Sequence, residues 1–236
     1  MRKKRIGGSA ANSVDGRRKR AALILARLKK EFPQASTALC HENAFQLLIA
    51  TILSAQCTDE RVNKVTPGLF QKYPGPPEFA GARQDELEQE IRSTGFFRMK
   101  ARNILGCSKA IVERHHGEVP GTMEDLVRLP GVGRKTANVV LGQAFGIPSG
   151  VVVDTHVQRL SHRMGLTTAN DATRIEEDLV KLVRKTDWIV AGTVLMFHGR
   201  KTCNARRPRC AECVVKDICP SSEKFLREES KRHRSP

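Results

Sequence analysis

Ten residues in the middle of the chain interrupt an otherwise helical pattern: Leu129-Pro130-Gly131-Val132-Gly133-Arg134-Lys135-Thr136-Ala137-Asn138. Proline and glycine destabilise a helix interior, whereas apolar side chains recur at helical spacing from Lys135 to Phe145. The pattern predicts a helix, a tight hairpin and a second helix. Because glycine permits positive φ and close backbone approach, we expect both Gly131 and Gly133 to use that freedom. The amides of residues 131 to 135 would then point outward at the positive end of the second helix, a geometry that suits a phosphate.

Two common glycine motifs are excluded at this hairpin. A dinucleotide-binding fingerprint needs a third glycine, and a Walker A loop needs Gly-Lys-Thr, whereas this chain has Gly-Arg-Lys-Thr. An ordinary turn between two helices with a surface lysine is the simpler interpretation of the hairpin alone.

One helix length further on comes Val151-Val152-Val153-Asp154-Thr155-His156. Three valines without a partner strand favour a buried connection over a strand. Asp154 can cap a helix that runs through Met164. The stretch therefore adds a candidate carboxylate to the candidate amine of Lys135, although a plain helix cap is the alternative for Asp154.

The rest of the chain predicts an all-α fold, because no alternating strand pattern of useful length occurs. We expect Asp59 to cap a helix that the Pro67-Gly68 pair kinks or stops, and a loop at Pro74 to Pro77. The predicted domains are a disordered basic tail at 1–16, one helical domain formed by 17–36 and 148–220, a second that holds the hairpin at 37–147, and a basic carboxy-terminal tail at 221–236. Other helices are expected near 17–32, 43–54, 85–93, 99–115, 122–129, 171–184 and 188–200.

The charge balance indicates a polyanionic partner. The chain has 41 Lys and Arg against 25 Asp and Glu, a net charge of +16, and the two tails carry little more than half of that excess. No apolar run approaches the ~20 residues of a membrane span, and no secretory signal core is present. We therefore expect no membrane partner and an intracellular protein: cytoplasmic and nucleoid-associated in a bacterium, nuclear or mitochondrial in a eukaryote, where the basic amino terminus would fit a transit peptide.

Four of the seven cysteines follow a helix with the spacing C-x6-C-x2-C-x5-C: Cys203, Cys210, Cys213 and Cys219. Zinc and an iron-sulfur cluster both accept four thiolates, and the spacing alone does not choose between them. The first loop carries Arg206, Arg207 and Arg209, which suit DNA phosphates, with a solvated surface loop as the alternative. The other three, Cys40, Cys57 and Cys107, are predicted to be reduced packing thiols.

Taken together, the motifs resemble the endonuclease III family, whose members are bifunctional DNA glycosylases and AP lyases of the helix-hairpin-helix superfamily. The resemblance covers about residues 20 to 220 and rests on Leu53-Ser54-Ala55-Gln56, the hairpin from Leu129 to Ala137, Val153-Asp154-Thr155-His156, His198-Gly199-Arg200 and the cysteine spacing. It implies two helical lobes with a DNA-binding cleft, a [4Fe-4S] cluster on the four cysteines, and a monomer that binds double-stranded DNA with damaged bases or abasic sites.

The resemblance also implies roles for single residues. Lys135 matches the lysine that attacks C1′ of the deoxyribose after an oxidised pyrimidine is flipped out, and Asp154 matches the aspartate that assists it. Gly131, Val132, Gly133 and Arg134 match the DNA-binding hairpin.

Further matches concern the space that the extruded base leaves. Gln56 is expected to enter that space, and Phe96 occupies the wedge position, where a leucine is more familiar. Ordinary core positions for both Phe96 and Phe97 are the alternative. Asp59 and His156 are candidates for the base pocket, with a helix cap and a satisfied hydrogen bond as their alternatives.

Two other functions fit parts of the same pattern. An adenine-mismatch glycosylase of the superfamily shares the hairpin, the aspartate and the cluster, but typically has a serine-like residue in place of Lys135 and a further carboxy-terminal domain. A non-catalytic DNA-binding or redox protein could use the hairpin and the cluster alone. Lys135 together with Asp154 favours the glycosylase and lyase over both.

Overall fold

The computed structural model describes residues 13–232, and over that range it contains α-helices, short 3₁₀ turns and loops but no strand, so the all-α prediction is confirmed. The helices are α1 Val14–Glu31, α2 Ala44–Ser54, α3 Asp59–Lys72, α4 Pro76–Gly81, α5 Gln84–Ile91, α6 Phe97–His115, α7 Met123–Leu126, α8 Arg134–Phe145, α9 Thr155–Arg163, α10 Ala172–Leu182, α11 Trp188–Lys201 and α12 Ser222–Arg232. The 3₁₀ turns are Arg92–Thr94, Lys185–Asp187 and Cys210–Glu212. None of the described helices is both long and apolar enough to cross a membrane.

The chain divides into two compact units with separate cores. The hairpin unit is Thr37–Ser149. The cysteine unit comprises the residues up to Ser36 together with those from Gly150 onward. The cysteine unit is therefore built from two separate segments of the described chain, while the hairpin unit is continuous.

Helix α2 forms the centre of the hairpin unit and is buried on nearly every side. Leu47, Leu48, Ile49 and Leu53 are all inaccessible to solvent, and α2 packs against α3, α6 and α8. Burying each such side chain contributes about 1.5–3 kcal/mol. Helices α6 and α8 thus both pack on one apolar helix. Helix α6 supports the hairpin, and α8 follows the hairpin in the chain.

The core of the cysteine unit joins the start of the chain to its last third. Ile24 and Leu28 of α1 are fully buried, and α1 packs against α10 and α11. Helices α9 and α11 also pack against each other. This core positions α9, which begins next to Asp154.

Polar caps define several helix starts that the sequence predicts. Asn43, Thr122, Asp154 and Asp171 each accept a hydrogen bond from a backbone amide three residues later. Asp59 is not a cap, contrary to the prediction. Thr58 takes that position instead, because its hydroxyl accepts from the amide of Arg61 at 3.2 Å and Asp59 is the first residue of the helix.

Two predictions about prolines differ from the structure, because α3 does not stop at Pro67 and residues 74–77 are not all loop. Pro67 lies inside α3 without ending it, because the buried side chains of Val62, Thr66 and Leu69 hold both halves against the core and offset a proline cost of ~3 kcal/mol. The expected loop at Pro74 to Pro77 contains the start of α4. Pro76 and Pro77 fill the first two positions of α4, where a helix does not need the missing amides.

The predicted tails differ from the structure where they are described. Residues 1–12 of the predicted amino-terminal tail lie outside the described residues, but Ser13 caps α1 and accepts from the amide of Gly16 at 3.1 Å. The predicted tail at 221–236 contains α12, and residues 233–236 lie outside the described range. Asp15, in the first turn of α1, carries a negative charge, which stabilises the positive end of a helix.

Candidate active site and cysteine loop

The hairpin between α7 and α8 is a close backbone turn held by Gly131. Gly131 has φ 76°, and a Cβ atom added there would lie 2.7 Å from Cβ of Asn103. Gly133 differs from the prediction, because its φ of −91° is ordinary extended backbone and a Cβ there would meet open space. Gly133 is instead the N-cap residue of α8. Only the first glycine therefore needs positive φ and close approach.

Helix α6 supports the hairpin from below. Asn103 faces Gly131, and Gly106 lies so close to Pro130 that an added Cβ would be 3.2 Å from the proline ring. The side chain of Val132 is buried, and its amide donates to the carbonyl of Leu129 at 3.1 Å. Val132 thus anchors the turn, while Gly131 and Gly133 remain at the surface.

Lys135 is the second residue of α8 and is exposed, as is Arg134 before it. The first turn of an α-helix has amides without intrahelical partners and carries partial positive charge. Lys135 thus presents a primary amine next to a site suited to an anion.

Asp154 is the N-cap residue of α9 and is partly exposed. Its Oδ1 accepts a hydrogen bond from the amide of Val157 at 2.7 Å. His156, two residues later, is also partly exposed, and its Nδ1 lies 3.2 Å from Nη2 of Arg159. Asp154 is therefore the cap that its position predicts, and the residue is not fully buried.

Two glycines of α11 let the segment around Asp154 approach closely. An added Cβ at Gly192 would lie 2.9 Å from the carbonyl oxygen of Val152, and one at Gly199 would lie 2.9 Å from Cβ of His156. The two glycines are seven residues apart and so face the same side of the helix. The motif His198-Gly199-Arg200 is explained in part by this contact.

Gln56 and Phe96 share an uncommon backbone conformation. Their φ angles are 52° and 48°, in the left-handed region, which costs of order 1–3 kcal/mol for a residue other than glycine. Both side chains are exposed, Phe96 to 59%. The alternative of Phe96 as an ordinary core residue is thus wrong, and Phe97 is the phenylalanine that packs on the core. Asp59 lies nearby in sequence, partly exposed in the first turn of α3.

The four spaced cysteines are among the residues that line a single cavity in the cysteine unit. All of them are free thiols, as are the other three cysteines. Burial raises the pKa of Cys213 to about 11 and also raises that of Cys219. Among the described residues, no His, Cys, Asp or Glu side chains form a group of three that could hold a single metal ion. The structure thus brings four free cysteines to the lining of one cavity.

The three remaining cysteines are only partly as predicted. Cys107 is a buried packing thiol, and burial raises its pKa to about 12. Cys57 is partly buried, but Cys40 is exposed, so packing does not explain it. The amide of Cys40 donates to Asn63, which means that backbone hydrogen bonding and not side-chain burial holds this residue.

Two arginines of α9 organise the cysteine loop, and sequence reasoning missed both. Nη2 of Arg159 donates to the carbonyls of Gly199 and Cys203 at 2.9 and 3.0 Å. Arg163 donates to the carbonyls of Asn204 and Ala205 at 2.8 and 2.6 Å, and its Nη1 lies 3.3 Å from Sγ of Cys203. Their spacing of four residues places them on one helix face, which was the available signal.

His198, the first residue of the His198-Gly199-Arg200 motif, is completely buried beside the cavity. Its Nδ1 lies 3.2 Å from Oε2 of Glu31 and its Nε2 lies 3.5 Å from Sγ of Cys213. Burial lowers the pKa of His198. The motif thus supplies a buried imidazole next to a cavity sulfur, a close-contact glycine and an exposed arginine.

The three arginines of the x6 loop are exposed but not equivalent. Arg209 donates from Nη2 to the carbonyl of Lys201 at 2.5 Å, and its Nη1 lies 3.6 Å from Oε2 of Glu212. Arg206 and Arg207 point into solvent from the middle of the loop. Arg209 therefore stabilises the loop conformation through these contacts, while Arg206 and Arg207 leave their positive charges exposed on the loop.

The site residues divide between the two units. Lys135, Gln56 and Phe96 belong to the hairpin unit, whereas Asp154 and His156 belong to the cysteine unit with the four thiols. Within the hairpin unit the structure ties the Gln56 and Phe96 loops to one side chain, Lys100, which sequence reasoning also missed.

Comparison with known proteins places this geometry in a family. The model of the HhH-GPD superfamily of base excision DNA repair proteins matches residues 49–185. Endonuclease III of Synechocystis sp. is 54% identical over 215 residues, which cover 91% of this chain and 98% of that relative.

Solved structures agree with the sequence comparison. A non-covalent endonuclease III–DNA complex matches at a TM-score of 0.84 with 43% identity, covering 89% of this chain and 98% of that one. A trapped covalent endonuclease III–DNA intermediate, the estranged-adenine complex, matches at a TM-score of 0.84 with 42% identity and the same coverage. The chain therefore belongs to the HhH-GPD superfamily of base excision DNA repair proteins and, within it, to the endonuclease III family.

Proposed function

We propose that this protein removes oxidised pyrimidines of the thymine glycol type from double-stranded DNA and cleaves the abasic site by β-elimination through Lys135. As a member of the endonuclease III family it is a base-excision-repair DNA glycosylase with AP lyase activity. The observation that carries the finer proposal is the exposed amine of Lys135, directly after the hairpin at the start of α8. A relative that forms a covalent intermediate with DNA supports an enzyme nucleophile.

Lys135 would act as the nucleophile in its unprotonated form. The nitrogen lone pair forms a bond to C1′, and the base leaves with the electrons of the glycosidic bond and takes up a proton. Opening of the sugar ring gives a Schiff base, which acidifies the C2′ proton. Loss of that proton expels the 3′ phosphate and nicks the strand.

Asp154 would assist at the sugar through its negative charge. Positive charge develops on the deoxyribose as the base departs, and a carboxylate stabilises it and can move protons as the sugar opens. The cap bond from Val157 holds one carboxylate oxygen of Asp154 in place, so the group is oriented before substrate binds. Orientation by the fold avoids part of the entropic cost at the moment of reaction.

The duplex would be gripped by backbone and by exposed cations. The hairpin from Gly131 to Arg134 offers amides to phosphate, with Val132 contributing through its anchoring role. Arg206 and Arg207 offer charge from the cysteine loop, and Arg209 shapes that loop. We propose that the protein binds damaged or abasic duplex DNA as a monomer.

Extrusion of a base leaves a gap that exposed side chains would fill. Gln56 and Phe96 are the candidates, because both project from strained left-handed positions of the hairpin unit. Asp59 and His156 are proposed to line the base pocket, and both are partly exposed. A flipped base is typically recognised by stacking and by hydrogen bonds to its edge, which these side chains can provide.

The residues around the cysteine cavity fit a [4Fe-4S] cluster, and we propose that Cys203, Cys210, Cys213 and Cys219 hold it. Four sulfurs line one cavity, no disulfide pairs them, and Arg163 and His198 lie within 3.5 Å of two of the sulfurs. Such a cluster needs four thiolates, and hydrogen bonds to sulfur tune it. When bound, it cross-links the loop that carries Arg206 and Arg207.

Iron analysis tests the cluster. We expect the purified protein to contain about four iron and four sulfide per chain. Cys213→Ser should lose most of both and lower the unfolding midpoint. Cys40→Ser, an exposed thiol outside the cavity, should keep them. A colourless protein without iron after anaerobic purification would contradict the assignment.

Incubation with defined duplexes tests the proposed function. The substrates carry thymine glycol, a pre-formed abasic site, adenine opposite 8-oxoguanine, or no damage, and free base is resolved from nicked strand. We expect base release and nicking with the first, nicking with the second and neither with the last. Release of adenine without nicking would support the mismatch glycosylase instead, and binding without any turnover would support a non-catalytic protein.

A further inference from the structure

Lys100 is a lysine buried in the hairpin unit, with only 3% of its surface exposed. Its Nζ atom donates to the carbonyl of Leu53 at 2.7 Å and to the carbonyl of Thr94 at 2.8 Å. The two carbonyls are far apart in the sequence, so the ammonium joins two separate segments. A fully buried lysine is uncommon unless it is paired, and here its partners are backbone carbonyls and not a carboxylate.

The joined segments are those that carry Gln56 and Phe96. Leu53 lies in the last turn of α2, three residues before Gln56, and Thr94 ends the 3₁₀ turn, two residues before Phe96. Both of these surface residues have positive φ. The amide of Lys100 also donates to the carbonyl of Phe96 at 3.1 Å. One residue therefore contacts both loops, and the Phe96 loop through two separate bonds.

A positive charge is suited to this position. The carbonyls at the ends of helical turns lack intrahelical partners and carry partial negative charge, and an ammonium has up to three donors for them. Burial lowers the pKa of Lys100, while the neighbouring Cys57 acts in the opposite direction. An apolar side chain of similar length would fill the space without the desolvation cost. The feature that only lysine adds is the pair of bonds to the two loops.

We infer that Lys100 is a positioning residue that sets the separation of Gln56 and Phe96, so that both side chains enter the duplex together when a base is extruded. This inference rests on the proposed function of those two residues. Two strained turns that must act in one gap need a fixed distance between them, and hydrogen bonds from one rigidly held group supply it. Lys100 would then affect base extrusion and leave the chemistry of Lys135 unchanged.

Variants of α6 separate this role from general stability. Lys100→Met removes both loop bonds and keeps most of the volume, and Lys100→Leu, which also lacks a donor, serves the same comparison if the methionine variant does not fold. Lys109→Met removes an exposed lysine of the same helix. Ala110→Gly, at a buried position of α6, lowers stability without touching either loop. Each variant is assayed at a temperature where its unfolding curve shows a folded protein.

Two substrates report the two steps. Single-turnover base release from a thymine glycol duplex requires extrusion, whereas nicking of a pre-formed abasic duplex has no base to extrude. For Lys100→Met we expect base release to fall roughly 10- to 100-fold and abasic nicking by less than about threefold. The fluorescence rise of 2-aminopurine placed beside the lesion, which reports unstacking, should slow in parallel. Lys109→Met should match the parent, and Ala110→Gly should change both rates alike.

The outcomes distinguish the inference from the proposed function. An active parent together with equal loss on both substrates for Lys100→Met would overturn the positioning role. Unchanged base release would overturn it as well. A parent protein that neither releases thymine glycol nor nicks the abasic duplex would instead overturn the proposed function, before any variant is compared.

Discussion

Replacement of Lys135 with alanine is expected to abolish both the covalent adduct and strand cleavage. In the proposed mechanism the amine nitrogen is the only protein atom that forms a covalent bond to the substrate. Without it no Schiff base can form, so β-elimination cannot follow. Removal of a catalytic nucleophile typically costs a factor of 10³ or more, so we expect a loss of roughly that size in both base release and nicking. Borohydride trapping of the Schiff base on an abasic duplex measures the adduct directly.

Lys135→Ala is expected to change the reaction without disturbing the fold. Lys135 is exposed in the first turn of α8, and alanine is a good helix former, so folding should be unaffected. Lys109→Ala, an exposed lysine of α6, controls for the loss of one charge from the same unit. If the Lys135→Ala protein is trapped on DNA as efficiently as the parent, the nucleophile is another amine.

Replacement of Asp154 with asparagine is expected to slow base release by roughly 10²-fold, the lower end of the range for acid-base groups. Asparagine caps helices about as well as aspartate, so the bond to the amide of Val157 should persist. The free energy of unfolding should therefore change by less than about 0.5 kcal/mol. Loss of rate without loss of stability would then report the charge alone.

Asp171 provides a matched control for Asp154. It caps α10 in the same way, with Oδ1 accepting from the amide of Arg174 at 2.9 Å. Asp171→Asn should leave both activity and stability near those of the parent. We expect Asp154→Ala to lose the cap as well, at about 1 kcal/mol. If Asp154→Asn releases base as fast as the parent, Asp154 serves only as a helix cap.

Much of the fold follows from local rules that the sequence displays. Asn43, Thr122, Asp154 and Asp171 mark helix starts because their short polar side chains satisfy amides in the first turn. The errors arise where tertiary packing overrides a local rule. Pro67 breaks helices in isolation, but in α3 it lies among buried neighbours that hold the helix on both sides.

The candidate site is less accessible to sequence reasoning. Lys135 and the four cysteines stand out by motif and spacing, because their chemistry depends on residue type. Three other residues do not stand out in the sequence: Lys100, Arg159 and Gly192. Each acts through contacts with residues roughly 40 positions or more away, which only folding brings close. In the sequence, a buried lysine cannot be distinguished from a surface lysine, because its carbonyl partners are known only from the structure. Positioning residues of this kind are thus found from the structure.

The discontinuous cysteine unit has a consequence for the order in which a nascent chain can fold. Lys29 of α1 pairs with Asp187, 158 residues later. At 5–20 residues per second, that separation corresponds to roughly 8 to 32 seconds of synthesis before this partner of α1 has been made. The continuous hairpin unit, Thr37–Ser149, leaves the ribosome in that interval. We therefore expect the hairpin unit, with Lys135, to fold before α1 can make its contact with Asp187.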